Sequence, residues 1–147
     1  MGFFRFKKER ATSIAPPVNK KERLTPTREA STRRVEIGGK KIYITRGEYP
    51  DGRLGEIFIR LDKEGGELRV YECLAIAISI GLQHGIPLSA FSEKLLNQKM
   101  EPAGVTNDKS IPLANSIIDY VFRYLLMRYD DEGNKRKWWR RVKTNSY

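Results

Sequence analysis

Four carboxylates, Glu48, Asp51, Glu56 and Asp62, fall close together in a stretch that also carries Arg46, Arg53, Arg60 and Lys63. Carboxylates beside cations could run acid–base chemistry in a small hydrolase or transferase. Carboxylates on a strand face are ordinarily just solvated, though, and their spacing specifies no reaction. The same cluster, Arg46, Gly47, Glu48, Tyr49, Asp51, Arg53, Arg60 and Lys63, is interleaved with Gly52, Gly55 and Gly66. Glycines let a partner or a phosphate approach the backbone, which makes this group the candidate contact surface. It contains no G-x-G-x-x-G or Walker pattern. The plainer reading is turn residues beside a solvated strand face. Nucleophilic or metal chemistry has little to draw on, because Cys73 is the single cysteine and His84 the single histidine. One cysteine cannot form an internal disulfide, and the pair offers no zinc-ligand spacing. His84 stands before a helix-ending glycine, where capping or packing is expected. Cys73 stands in an apolar helical run, where an inert buried thiol is expected. No catalytic residue, no metal and no cofactor is expected.

A second candidate site is carried by charge. The 147 residues bear a formal net charge of +10, distributed unevenly. Residues 1–34 hold ten Lys/Arg against three Glu, residues 35–130 twelve against thirteen acids, and residues 131–147 six against two. The middle is close to neutral and the ends are basic. The first of these ends contains Pro16, Pro17 and Pro26 without apolar periodicity, so residues 1–32 read as a flexible basic arm. At the other end, Trp138 and Trp139 lie among Lys135, Arg136, Lys137, Arg140 and Arg141. Such a tail could clamp a nucleic-acid backbone while stacking on bases, or lie on an anionic membrane surface. The bland alternative is a solvated tail whose tryptophans fold back on the domain or dock on a partner. No apolar run is long enough for a bilayer crossing, and the N-terminus lacks the apolar core of a secretory signal. A cytoplasmic protein is expected.

The elements that must position these residues occupy 33–130. Val35-Glu36-Ile37 and Ile42-Tyr43-Ile44 flank Gly38-Gly39, a pair suited to the positive φ angles of a tight hairpin. Tyr49-Pro50-Asp51-Gly52-Arg53 predicts a second turn before the strand Gly55–Asp62, in which Ile57, Ile59 and Leu61 alternate with Glu56, Phe58, Arg60 and Asp62. From Glu67 the period becomes helical. Tyr71, Ala75, Ile78 and Leu82 share one face, while Cys73, Ile76, Ala77 and Ile80 cover much of the rest, which predicts burial on more than one side. Gly85 and Pro87 end that helix. A shorter helix is expected from Leu88 to about Gln98, then a loop from Met100 to Ile111. A third helix is expected from Pro112, through Leu113, Ile117, Tyr120, Val121, Tyr124 and Leu125, to about Tyr129. The fold class is α+β, a three-stranded antiparallel sheet packed against about three helices. Its two open edges make a homodimer conceivable.

The succession YITRGEYPDGRLGEIFIRLDKEGGEL, AIAISIGLQHGIPLSAF, KMEPAG and IPLANSIIDYVFRYL, spanning about Val35 to Met127, resembles the C-terminal accessory region of adenosylcobalamin-dependent (class II) ribonucleotide reductases. That region is related to the domain named for a Thr-Ser-Cys-Pro-Asp motif. Here the namesake cysteine is missing, with Asp108-Lys109-Ser110-Ile111-Pro112-Leu113 near its place, and a second family cysteine is replaced around Met100-Glu101-Pro102. A reductase of this kind also needs a radical-forming cysteine, a reducing cysteine pair and a cobalamin-binding barrel. The resemblance therefore implies a non-catalytic accessory domain, acting in trans with a ribonucleotide reductase subunit or another partner in deoxyribonucleotide and DNA metabolism. The alternative is a nucleic-acid-binding protein that works through its basic arms.

Overall fold

A computed structural model describes residues 19–62 and 66–129. Three strands, β1 (Ala30–Ile37), β2 (Lys40–Glu48) and β3 (Leu54–Leu61), form an antiparallel sheet in the order β1-β2-β3. Three helices follow, α1 (Gly66–Gln83), α2 (Leu88–Leu95) and α3 (Ile117–Tyr129). The expected α+β class is the observed one. Between α2 and α3 lies a short antiparallel ribbon, β4 (Gly104–Val105) with β5 (Leu113–Ala114).

The first hairpin closes through Gly38 and Gly39 at φ 54° and 82°, with Ile37 paired to Lys40. Both central residues being left-handed makes a two-residue turn whose twist matches the strands. The two glycines differ in surroundings. A Cβ on Gly38 would lie 2.6 Å from the Ala103 carbonyl oxygen, whereas one on Gly39 would meet nothing. Gly39→Ala should cost about 1 kcal/mol of stability for its left-handed backbone alone. Gly38→Ala should cost clearly more, about 3 kcal/mol, because a rigid backbone must also give way. Urea unfolding of both variants checks the difference.

Alternation puts Val35 and Ile37, Ile42 and Ile44, and Ile57 and Ile59 on one sheet face, all buried. Onto that face fold Ala75 and Ile78 of α1 and Ile117, Tyr120, Val121 and Leu125 of α3. Each large aliphatic buried there contributes roughly 1.5–3 kcal/mol. Helix α1 runs beside β3 and satisfies its outer edge. The Ser79 hydroxyl accepts from the Ile57 N–H (2.9 Å) and Gln83 Nε2 donates to the Gly55 carbonyl (3.2 Å). On the other side of the sheet, β1 meets the β4 region. Asn107 Oδ1 accepts from the Glu36 N–H, the Asn107 N–H donates to the Glu36 carbonyl, and the Gly38 N–H donates to the Val105 carbonyl. Parts of both edges are thus occupied by the chain itself.

Several expectations are corrected. Helix α1 is buried on one side only: Ala75 and Ile78 are covered, but Val70, Ile76 and Ile80 are exposed, Ile76 by 55%. Cys73 is exposed rather than an inert buried thiol. The helix lies at the margin of a small sheet, and among the described residues no second layer covers its far side. Its end is as expected, a left-handed Gly85 with Ile86 N–H bonded to Gly81 and Gly85 N–H to Leu82. The His84 ring meets the Ile80 carbonyl through Nδ1 (2.8 Å). Pro112 does not start α3. Its carbonyl accepts from the Thr106 N–H, holding Leu113 and Ala114 in β5. The helix starts after Ser116, whose hydroxyl takes the Asp119 N–H as an N-cap does. Helix α2 ends at Leu95, because Leu96 is extended and Asn97 left-handed at φ 62°.

The sheet also begins upstream of the expected Arg33, at Ala30, and the residues before it are packed. A Cβ on Gly55 would lie 2.6 Å from Leu24, the Glu22 N–H bonds the Gln83 carbonyl, and the Arg28 Nε lies 2.5 Å from Glu56. Residues 1–18 and 130–147, with the basic arm's beginning and the tail's Lys135, Arg136, Lys137, Trp138, Trp139, Arg140 and Arg141, lie outside the described residues.

Candidate functional site

The inward face of β2 begins apolar, with Ile42 and Ile44, and ends charged, with Arg46 and Glu48. Charges carried into a core are costly unless partners travel with them. Helix α3 supplies those partners. Arg46 donates through Nε to the Tyr124 hydroxyl (3.2 Å) and through Nη1 to Glu48 (2.5 Å) and the Tyr129 hydroxyl (2.5 Å). Tyr129 in turn donates to the Glu48 carboxylate, and Arg128 lies 3.5 Å from it. The Tyr129 hydrogen bond, with Arg46 and Arg128 nearby, holds the Glu48 carboxyl below the ordinary carboxylate range against a smaller opposing effect of burial. Burial and the Glu48 acceptor push the Tyr129 phenol up.

A parallel knot lies one strand over. Arg33 of β1 ion-pairs Asp108 (2.9 Å) and donates to the Tyr120 hydroxyl (3.1 Å), which donates to Asp108 (2.7 Å). The Arg33 guanidinium sits over the Tyr124 ring, which stacks beside Tyr120. Burial, then the Asp108 hydrogen bond, raises the Tyr120 phenol. Asp108 is held low despite burial by Tyr120, the Ser110 N–H and Arg33. Asp108 thus occupies part of the segment where the namesake cysteine motif was expected, and it serves as a buried acceptor.

The low values of Glu48 and Asp108 predict a pH response. A carboxyl whose folded pKa lies below its unfolded value of about 4 adds stability that is fully present above that value and lost as pH falls through the folded pKa. Urea midpoints should be level from neutrality to about pH 5 and decline below about pH 4. In Asp108→Asn the decline should be shallower.

The eight residues of the candidate contact surface separate into three places. Arg46, Glu48 and Tyr49 are turned in or largely covered, and Gly47 is buried beneath the Glu56 side chain, its hypothetical Cβ 2.6 Å from Oε1. Asp51 and Arg53 are exposed at the tip of the β2–β3 hairpin. There Arg53 grips Glu22 with two nitrogens (2.8 and 3.0 Å), pairs with Asp51 (2.7 Å) and covers the Tyr49 ring, while the Tyr49 hydroxyl donates to the Glu22 carbonyl. Arg60 is exposed on the opposite sheet face, and Lys63 lies outside the described residues. The four carboxylates do not converge: Glu48 holds Arg46, Asp51 holds Arg53, Glu56 holds Arg28, and Asp62 lies 3.9 Å from Lys41. Among the described residues every buried side-chain nitrogen and oxygen has a hydrogen-bond partner. Arg46 and Glu48 therefore tie α3 to the sheet. Sequence reasoning missed their partners Tyr124 and Tyr129, the Arg33 knot with Asp108 and Tyr120, and Glu22 as the partner of Arg53, because these partnerships cross long stretches of chain and leave no local pattern.

The described residues form a small α+β domain whose buried charges join helix α3 to the sheet. The chain belongs to the TSCPD domain family, whose model matches residues 17–129. It is 45% identical over 114 residues to a vitamin B12-dependent ribonucleotide reductase of Bradyrhizobium diazoefficiens, covering 76% of this chain and 9% of the relative. It is 46% identical over 111 residues to the protein of the same name from Agrobacterium fabrum, covering 74% and 9%. The match to that of Streptantibioticus cattleyicolor is 39% over 134 residues, covering 84% and 22%. The chain thus spans between about a tenth and a fifth of these relatives' length. No solved structure matches it. Among the described residues no helix is long and apolar enough to cross a membrane.

Proposed function

We propose that the chain is a non-catalytic accessory domain that acts in trans with a ribonucleotide reductase in the cytoplasm. The observation that carries this reading is the coverage: most of the chain matches vitamin B12-dependent reductases, at 39–46% identity, across only a small part of their length. Two exposed features suit a protein contact. Asp51, Arg53 and Glu22 form a fixed charged tip, and Ile76 and Ile80 leave apolar area on α1, whose C-terminal end meets the tip segment through Glu22 and Gln83. A homodimer through the β1 edge would have to use β1 before Glu36, since Glu36 to Gly38 already pair with residues 105–107. The test is a pull-down with the full chain from its native host at low and moderate salt. A reductase subunit should be retained and should be lost when Arg53 and Ile76 are both replaced by glutamate. Retention of no reductase at either salt would remove the main support.

A second reading is favoured by the charge at the two ends, a nucleic-acid-binding protein whose Lys135–Arg141 tail and N-terminal arm make the contacts. Removing residues 1–18 and 134–147 tests it. The truncation stops at residue 18 because deleting through residue 32 would also remove Glu22, Leu24, Arg28 and the start of β1. If a nucleic-acid complex survives with its salt dependence unchanged, the arms are not the binding element.

A further inference from the structure

The helices pack on one face of the sheet, and the other face carries its own ordered rows. Register places Arg34, Tyr43 and Arg60 side by side across β1, β2 and β3, and Thr32, Thr45 and Phe58 in the adjoining row. Arg34 and Arg60 are exposed, Tyr43 is partly exposed, and Phe58 is 46% exposed. Tyr43 and Phe58 are diagonal neighbours on adjacent strands, with backbones about 7–8 Å apart. The bordering rows are largely neutralised, by Arg28 with Glu56 on one side and Lys41 with Asp62 on the other, where Glu36 also stands. Arg34 and Arg60, in contrast, have no ion pair or ring contact among the described residues. In the buried half of the protein every arginine discussed above is matched by a carboxylate or a phenol. Here two are left unmatched on either side of an aromatic ring, in the middle of an open sheet.

We propose that this outer face binds single-stranded nucleic acid, with Tyr43 and Phe58 stacking on bases and Arg34 and Arg60 meeting the flanking phosphates. Aromatic rings on a sheet offer every base a flat partner, and guanidinium groups suit phosphate geometry. Charge complementarity supports this occupant over a protein partner, since the unpaired groups are cationic and the rings lie between and beside them. The inference stands apart from the reductase reading. It differs from the arm reading in placing base contact on the folded domain.

The test uses the full chain and a fluorescein-labelled oligothymidylate, with affinity read by anisotropy across a salt series and folding checked by circular dichroism. Phe58→Ala should weaken binding about fivefold or more and leave the salt slope unchanged, because stacking releases no counterions. Phe58→Tyr should keep the parent affinity. Arg34→Ala with Arg60→Ala should weaken binding and lower the slope of log affinity against log salt by about 1.4, two phosphates' worth for a single strand. A duplex, whose base faces are stacked away, should bind more weakly and ignore Phe58→Ala. Failure of the parent chain to bind the single strand would overturn the proposal. So would folded variants that bind as tightly as the parent, which would assign binding to the arms.

Discussion

Arg46→Met is expected to lower the unfolding free energy by about 3 kcal/mol, since removing one partner of a buried charge pair leaves the other uncompensated. The figure sits at the low end of that range because Glu48 keeps 16% side-chain exposure and Arg128 at 3.5 Å. Methionine roughly preserves the aliphatic stem, so the loss isolates the guanidinium. What is left behind is the Glu48 carboxylate with Tyr129, and a Tyr124 hydroxyl that has lost its Arg46 donor. Arg46→Met with Glu48→Leu should lose less than the sum of the two single changes, because the double variant no longer buries an unpaired charge. Urea unfolding with an unchanged m-value is the measurement. A loss below about 1 kcal/mol for the single change would mean that Arg46 is not what fastens α3 to β2.

Asp119→Ala should cost about as much or more, roughly 4 kcal/mol, at a site remote from the sheet's charged end. Its carboxylate is fully buried and accepts from the Asn97 N–H (2.7 Å), the Asn115 N–H (3.0 Å) and Arg123 Nε (3.0 Å), while Arg123 also reaches Asn97 Oδ1 (2.7 Å). One side chain thus joins the end of α2, the exit from β5 and the first turn of α3. Alanine would strand two backbone donors and a guanidinium together. Asp119→Asn keeps acceptor capacity but loses the charge, and should fall between the parent and the alanine variant. Amide exchange provides an independent readout: Asn97 and Asn115 should lose protection in Asp119→Ala while the β2–β3 amides keep theirs, provided the variant remains folded.

The parts of this fold that could be read in advance are those whose cause is local. Gly38-Gly39 and Pro50-Asp51-Gly52 are turns because of the φ angles those residues allow, and Gly85 ends α1 for the same reason. Alternation along Ile57, Ile59 and Leu61 needs no information from elsewhere in the chain. The misplaced start of α3 has an instructive cause. Pro112 fits a first helical position, but its carbonyl is claimed by Thr106, six residues back, while the better cap, Ser116, lies four residues on. The second apolar side of α1 was misread because periodicity reports how apolar a face is and not whether anything covers it. Ile76 and Ile80 look the same in sequence whether they meet a core or solvent.

Of the candidate contact surface, the residue types were legible and their roles were not. Arg46 and Arg60 both lie on strands of the hairpin, yet one is sealed beneath α3 and the other stands on the open face. That difference is set by strand parity and by which face the helices take. Parity can be read from sequence, but the side on which a distant helix lands cannot. By itself the sequence determined the α+β class, the two hairpins, the helix stop at Gly85 and the neutrality of residues 35–130, all consequences of backbone preference, short-range pattern or composition. Tertiary structure alone decided that Arg33 and Arg46 join helix to sheet, that Glu22 belongs to the hairpin tip, and that Arg34, Tyr43, Phe58 and Arg60 share an open face. The first two are pairings between segments distant in the chain, and the openness of that face depends on where distant helices pack, so each exists only once the intervening loops have closed.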